Sequence, residues 1–177
     1  MPALFQKKIL NAHYHVVMTH TIQTFFKRLA LASLIACSAL ANAQSLVGKV
    51  GGVIDGDTID VLDDRKIVHR IRLAGIDAPE KAQPFGQIAK EHLSDIVFGK
   101  RVLVIGNKID RYGRTVGKIE VGGIDANLEQ VKTGLAWHYK EYAREQLAED
   151  RNKYASAETN ARVNRTGLWR DNKQIPP

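Results

Sequence analysis

The sequence predicts an α+β fold, a five-stranded Greek-key β-barrel of the OB type that carries three α-helices. Beyond residue 43, short apolar segments with alternating polarity are separated by turn residues, which is typical of β-strands. Helical periodicity follows the third and the fifth of these segments, and no repeat or low-complexity stretch interrupts them. Five strands with helices in these positions suit a small barrel of the OB type.

The strands are predicted from alternation and from the turns between them. Residues 46–54 and 58–62 flank Asp55-Gly56, and Asp-Gly between two β-rich segments is a strong hairpin signal. Asp63-Asp64 forms the next turn. Three further strands are predicted at residues 67–73, 101–105 and 114–121.

The three helices are predicted from apolar residues at helical spacing. The first covers about residues 85–97, and Gly99 follows its end, where glycine commonly terminates a helix. The second begins near Asn127. The third covers about residues 143–163 and has a charged face that indicates exposure to solvent.

Residues 1–43 have the composition of a secretory signal peptide, which leaves residues 44–177 as the folded domain. This segment has no acidic residue, and Lys27-Arg28 precedes an apolar run that is too short to span a bilayer. The run is followed by Ala41-Asn42-Ala43, a small-x-small cleavage signal. The sequence therefore predicts an exported protein, either periplasmic or secreted.

Two alternatives concern the same segment. Translation from Met18 gives a leader of ordinary length, so the first 17 residues are then not translated. The sequence around Cys37 also resembles a bacterial lipobox, which predicts a lipid-anchored protein instead of a soluble one. A single acyl chain holds a protein weakly, so stable anchoring requires a second signal.

The leader changes the charge of the predicted domain. The whole chain carries 26 basic and 19 acidic residues, and four of the basic residues lie in the leader. The domain therefore has a net charge of about +3, which permits a phosphate-bearing partner without requiring one. The only cysteine also lies in the leader, which excludes disulfides, cysteine nucleophiles and cysteine zinc sites from the domain.

Two acidic segments are candidates for a metal site. Asp57 follows the predicted hairpin turn, and Asp77 lies in a proline-stiffened loop after the third strand. If the two loops share one rim of the barrel, these carboxylates converge. Carboxylates without cysteine or histidine companions suit a hard cation such as Ca²⁺ or Mg²⁺, and the Ala78 carbonyl is a further ligand candidate. The alternative is that Asp55 and Asp57 serve only the turn.

Arginine and glutamate residues near these carboxylates suggest chemistry at a phosphate. Arg72 and Arg114 are candidates for binding one phosphate with their planar guanidinium groups. Glu80 is a candidate base that positions or deprotonates a water molecule. The alternative for Arg114 is an ion pair with Asp110 that has no role in catalysis.

Taken together and in order, several segments resemble the staphylococcal nuclease (thermonuclease) family. They are IDGDTIDV, RLAGIDAPE, FGQIAKEHL, DRYGRTVGKI, NLEQVKTGLAW and the late GLW, and they cover nearly all of residues 47–169. The resemblance implies the OB barrel with three helices. It also implies a calcium-dependent, sugar-nonspecific endonuclease that cleaves DNA and RNA and leaves 3′-phosphates.

The resemblance also implies a role for each site residue. It implies Ca²⁺ ligands at Asp57, Asp77 and Ala78, a general base at Glu80, catalytic arginines at Arg72 and Arg114, and nucleotide-pocket tyrosines at Tyr112 and Tyr142. Two positions depart from the family pattern, namely the short loop of residues 81–84 and Lys140, which stands where a second pocket tyrosine is expected.

The main alternative is a non-catalytic OB-fold protein that binds single-stranded nucleic acid, with Tyr112 as a stacking residue. A weaker alternative is a calcium-buffering protein, which leaves both arginines unexplained. No stable protein partner is implied, and a monomer is expected. The histidines of the domain are isolated, which argues against histidine-metal nucleases, and His92 is expected on the surface of the first helix.

Overall fold

The computed structural model describes residues 45–170, in which the predicted strands form a closed barrel. The strands are, in chain order, β1 (Ser45–Val53), β2 (Thr58–Asp63), β3 (Val68–Leu73), β4 (Ile76–Asp77), β5 (Arg101–Ile109), β6 (Thr115–Val121), β7 (Ile124–Asp125) and β8 (Trp137–His138). The α-helices are α1 (Gly86–Val97), α2 (Ala126–Lys132) and α3 (Ala148–Val163), and 3₁₀-helices cover Lys140–Glu145 and Gly167–Arg170. The predicted leader, residues 1–43, lies outside the described residues.

The barrel is closed by one parallel pair of strands among antiparallel ones. The sheet order is β3-β2-β1-β5-β6-β7, and β3 also pairs with β6. In this closing pair Arg72 lies opposite Val116, while the hairpin of β1 and β2 pairs Val53 with Ile59. The α+β prediction of a five-stranded OB barrel with three helices is therefore confirmed.

Alternating residues of the five long strands fill the barrel. Ile59, Val61, Ile71, Val104 and Ile119 have no exposed surface, which agrees with the period of two that strands impose. The helices cover the barrel with apolar side chains that belong to the same core: Ala89, Leu93 and Val97 of α1, Ala126 and Val131 of α2, and Tyr154 and Ala157 of α3.

Strand pairing brings three connections close together. The turn after β1 and the segment after β3 lie at the same end of the barrel, because β2 pairs antiparallel with both strands. The turn between β5 and β6 lies beside the last residues of β3, because Thr115, which follows this turn, pairs with Ile71. These connections contain Asp57, Asp77, Ala78, Glu80, Tyr112 and Arg114, while Arg72 lies in β3 and Tyr142 in the first 3₁₀-helix. No helix within residues 45–170 is long and apolar enough to cross a membrane.

Two element boundaries and the placement of one side chain differ from the sequence prediction. Strand β5 extends to Ile109, because a register shift between Ile105 and Lys108 lets it continue pairing with β6. Helix α3 begins at Ala148, because the preceding 3₁₀-helix ends at Glu145 and Gln146 after it has an extended backbone. His92 is half-buried and hydrogen-bonded to Gln130, so its placement on the helix surface is wrong.

Candidate active site

The turn between β1 and β2 packs tightly against two other elements. The Asp57 N–H donates to Oδ1 of Asp55 at 3.0 Å, so Asp55 stabilises the turn. A Cβ atom on Gly56 would lie 2.7 Å from the Cβ atoms of both Ala78 and Ala89. Glycine is therefore required here, because only a residue without a side chain lets the turn, the loop after β4 and helix α1 meet.

Arg72 connects the two predicted cation ligands. Its two terminal nitrogens lie 2.8 Å from Oδ2 of Asp57 and 2.6 Å from Oδ1 of Asp77. The guanidinium also donates to the carbonyl oxygen of Ile76 at 3.0 Å, and its side chain is 15% exposed. The carboxylates of two separate loops thus lie beside one fixed cation, and each keeps a second oxygen that Arg72 does not use.

The fold raises the pKa values of both carboxyl groups that contact Arg72. Burial raises the pKa of Asp57 to about 7 even though Arg72 and the Ala78 N–H favour its charged form, and the neighbouring Asp55 and Asp77 raise it further. Burial also raises the pKa of Asp77, against the effect of Arg72, with added repulsion from Glu80 and Asp55. A single arginine therefore does not offset the burial of these two carboxyl groups.

The loop after β4 carries Ala78 and Glu80. The Ala78 N–H donates to Oδ2 of Asp57 at 2.6 Å, which joins this loop to the β1–β2 turn. The Glu80 N–H donates to Oε1 of Gln83 at 2.7 Å, and the Glu80 carbonyl accepts the Gln83 N–H at 2.8 Å. The Glu80 backbone is therefore held on both sides while its side chain is exposed to solvent.

Arg114 pairs with Asp110, which is the alternative that the sequence left open. Its Nε lies 2.7 Å from Oδ2 of Asp110, and the N–H groups of Tyr112 and Arg114 each donate to Oδ1 at 2.9 Å. Burial works against ionisation of Asp110, but these hydrogen bonds outweigh it and lower its pKa. The turn is thus built around one carboxylate that fixes the direction of the arginine.

A cleft of about 730 Å³ joins these groups to an aromatic wall. Its lining includes Arg72, Asp77, Arg114, Tyr112 and Tyr142. Tyr112 is 67% exposed and lies under Arg111 and Arg114, at 4.8 and 5.3 Å from ring centroid to guanidinium. Cationic groups beside exposed rings are suited to binding planar groups that carry phosphate.

The sequence analysis missed Tyr139 as a cleft residue. Its ring centroid lies 5.2 Å from that of Tyr142, and both tyrosines line the cleft. A hydrogen bond to Glu141 raises the pKa of Tyr139 to about 12, so its hydroxyl stays protonated. Tyr139 lies directly before the 3₁₀-helix of Lys140–Glu145 and has an extended backbone, so no helical spacing in the sequence links it to Tyr142.

The predicted site residues thus fall into three groups. Asp57, Asp77 and Arg72 are in direct contact, and Ala78 joins them through its N–H. Arg114, Tyr112 and Tyr142 share the cleft with Arg72 and Asp77. Glu80 acts on Asp77 only through its charge. Within residues 45–170, no set of three or more His, Cys, Asp or Glu side chains is arranged as a metal site.

The fold and the site together define an OB-barrel domain with a charged and aromatic cleft for an anionic ligand. A family model described as "Staphylococcal nuclease homologue" matches residues 70–171. The chain therefore belongs to the staphylococcal nuclease family.

Curated relatives agree with this assignment. An "Uncharacterized endonuclease" of Haemophilus influenzae is 40% identical over 144 residues, which cover 81% of this chain and 75% of the relative. A "Micrococcal nuclease" of Shigella flexneri is 42% identical over 164 residues, which cover 81% of this chain and 91% of the relative. "Protein ParB" of Escherichia coli is 40% identical over 167 residues, which cover 85% of this chain and 92% of the relative.

Proposed function

We propose that this protein is a Ca²⁺-dependent, sugar-nonspecific endonuclease that hydrolyses DNA and RNA to products with 3′-phosphates. The observation that carries the proposal is the contact of Arg72 with both Asp57 and Asp77, because Arg72 and Asp77 line the cleft that also contains Arg114. Membership of the staphylococcal nuclease family and the nuclease names of the relatives support the same reaction class.

The donor set fits a hard cation. Asp57 and Asp77 offer carboxylate oxygens, Ala78 offers a backbone carbonyl, and neither histidine nor cysteine stands among them. Ca²⁺ takes six to eight oxygen ligands, of which waters and a substrate phosphate supply the rest. Burial raises the pKa of both carboxyl groups and neighbouring acids add repulsion, which a cation bound to the deprotonated groups would relieve.

The remaining residues have separate tasks in phosphodiester hydrolysis. Arg72 and Arg114 bind the non-bridging phosphate oxygens and stabilise the charge that develops in the transition state. Glu80 accepts the proton of the attacking water. Tyr112 and Tyr142 hold the neighbouring nucleotide by stacking. Asp57, Asp77 and the Ala78 carbonyl would hold the Ca²⁺, which would supply positive charge at the phosphate and would make a nearby water more acidic.

A digest with matched variants tests this proposal. We expect the purified protein to degrade denatured DNA, duplex DNA and RNA when Ca²⁺ is present, and EDTA to stop the reaction. Glu80→Gln and Arg114→Ala should each lower kcat by about 10²–10³-fold, while Lys153→Gln at an exposed position of α3 serves as a surface control. End-group analysis should find 3′-phosphates. Unimpaired cleavage by either site variant would contradict the assigned roles.

A non-catalytic single-strand-binding protein is the second candidate. One observation favours it: Arg72 and Arg114 are both engaged by carboxylates, and the Glu80 side chain is exposed to solvent. The same digest separates the two functions. A binding protein retains labelled single strands without cutting them at any Ca²⁺ concentration, whereas the nuclease releases short products.

We also propose that the protein is exported, on the basis of the basic, apolar and small-residue pattern within residues 1–43. Mass spectrometry of the mature N-terminus tests this directly. A first residue of Gln44 supports cleavage after Ala43, and a lipidated Cys37 supports the anchored form. An N-terminus that retains the apolar run would refute both.

A further inference from the structure

A buried glutamine of α2 contacts the turn that carries Asp57. Gln130 has no exposed surface, and its Nε2 donates to the carbonyl oxygen of Gly56 at 2.6 Å and to that of Ala89 at 2.9 Å. Its Oε1 lies 2.5 Å from Nδ1 of His92. Burying an amide is unfavourable unless its polar atoms have partners, and here both ends of the amide are bonded.

These contacts determine where the protons lie. The carbonyl oxygens of Gly56 and Ala89 only accept hydrogen bonds, so the NH₂ group of Gln130 faces them. The remaining Oε1 is also only an acceptor, so Nδ1 of His92 carries the proton that joins the two side chains. His92 thereby holds the amide in the one orientation that satisfies both carbonyl groups.

Hydrogen bonds fix both peptide planes that flank Asp57. In the preceding plane, the Gly56 carbonyl accepts from Gln130 and the Asp57 N–H donates to Asp55. In the following plane, the Asp57 carbonyl accepts the N–H of Leu73 at 2.8 Å. Because peptides are planar, the orientation of these two planes sets the backbone dihedrals of Asp57 and the direction of its side chain.

We propose that Gln130 is a positioning residue for Asp57 and that His92 orients the Gln130 amide. This inference depends on the proposed function, because it takes Asp57 as a cation ligand. Neither residue lines the cleft, and Gln130 acts through the Gly56 peptide alone. Replacing a residue that orients a metal ligand without touching the metal typically changes metal affinity by about 10–100-fold.

Calorimetric titration with Ca²⁺ in the absence of nucleic acid tests the role of Gln130. The variant Gln130→Met keeps the side-chain length and removes both hydrogen-bond donors. We expect it to lower Ca²⁺ affinity by about tenfold or more. The matched control is Gln87→Met, an exposed glutamine of α1, and it should bind like the wild type. A folded Gln130→Met protein with wild-type affinity would overturn the proposal.

A pair of His92 variants tests the hydrogen bond that orients the Gln130 amide. These variants also test the proposal if Gln130→Met fails to fold. His92→Asn retains an N–H donor near the position of Nδ1, while His92→Phe keeps a ring and loses the donor. We expect the asparagine variant to retain most of the Ca²⁺ affinity and the phenylalanine variant to lose it. Equal affinity in both variants would refute an orienting role.

Two NMR measurements are independent of the cation. The ¹⁵N shifts of His92 should identify a protonated Nδ1, and the Asp57 amide should exchange slowly with solvent. Exchange of that amide should accelerate at least tenfold in Gln130→Met and not in Gln87→Met. Unchanged exchange in Gln130→Met overturns the positioning role. If the wild type binds no Ca²⁺ while Gln130→Met shows the accelerated exchange, only the proposed metal dependence is refuted.

Discussion

Asp57 has a carboxylate that the fold buries without fully neutralising. It is 5% exposed, it shares Arg72 with Asp77, and its pKa is raised to about 7, chiefly by burial. An acid whose pKa is higher in the folded than in the unfolded protein favours the fold only while it is protonated. Its stabilising effect is complete below pH 3.8 and is lost as the pH rises through 7.

A neutral replacement should therefore stabilise the cation-free protein at alkaline pH. The side chain introduced by Asp57→Asn is neutral at every pH, and Arg72 keeps Asp77 as its partner. We expect the variant to gain on the order of 2 kcal/mol over the wild type between pH 5 and pH 8, and to lose Ca²⁺ affinity. Urea unfolding in EDTA at both pH values measures the gain.

The control for this measurement is Asp95→Asn, which changes an exposed carboxyl of α1. Its stability relative to the wild type should be independent of pH. A pH-independent difference between Asp57→Asn and the wild type would mean that Asp57 ionises normally in the folded protein.

At the level of single residues, the sequence identified charged site residues better than it identified the residues that contact them. Asp57, Asp77 and Arg72 were predicted from charge placed at strand ends, and they are in contact. Gln130 was missed because a buried glutamine gives no signal in a single sequence. Its partner at Gly56 is 74 residues away, so only the packed structure reveals the contact.

Among the elements, the short loop between β4 and α1 is the one that most directly constrains Glu80. Gln83 binds the Glu80 backbone on both sides, and a Cβ atom on Gly86 would clash with the Glu80 carbonyl oxygen. Phe85, in the left-handed conformation with φ of 68°, then starts α1. The loop therefore has little freedom to vary, and it fixes the backbone from which the exposed Glu80 side chain extends.

Removing the Gln83 side chain should thus lower kcat more than it raises KM. Gln83→Ala loses the 2.7 Å hydrogen bond to the Glu80 N–H, which contributes about 1 kcal/mol and corresponds to about fivefold in rate. Steady-state kinetics on single-stranded DNA measures the two constants separately. Gln87→Ala is the control, and an effect on KM alone would indicate that the loop serves substrate binding instead.

Element boundaries show where local pattern was insufficient. The residues of β5 beyond Ile105 include Gly106, whose φ is 139°, and glycine there suggests the end of a strand. A Cβ atom on Gly106 would lie 2.5 Å from the Val116 carbonyl oxygen. The glycine thus permits close approach to β6, and the strand continues through the register shift that follows it. Whether a strand continues past such a glycine depends on its partner strand, which the local sequence does not specify.

On the scale of the whole molecule, the barrel places opposite electrostatic behaviour at its two ends. The end that carries Asp57 holds acids with raised pKa values and an open cleft. The other end carries the turn after β2, where Asp63 accepts hydrogen bonds from the N–H groups of Arg65 and Ile67 and from His69. Asp57 and Asp77 meet at one end because β2 pairs with β3 and places Thr58 opposite Arg72, and the sequence predicts this only on the condition that the two loops share a rim.

The second end should therefore control acid stability. The His69 hydrogen bond, with those from the Ile67 and Arg65 N–H groups, lowers the pKa of Asp63 to about 2, against a value of 3.8 in the unfolded chain. A carboxyl with a depressed pKa stabilises the fold above pH 3.8, and that contribution is lost as the pH falls toward 2. Asp63→Asn should lower stability at neutral pH and flatten the fall in stability between about pH 4 and pH 2. Thermal unfolding between these pH values measures the effect, with Asp95→Asn as the matched control. A general loss of packing would instead lower the stability of Asp63→Asn equally at every pH.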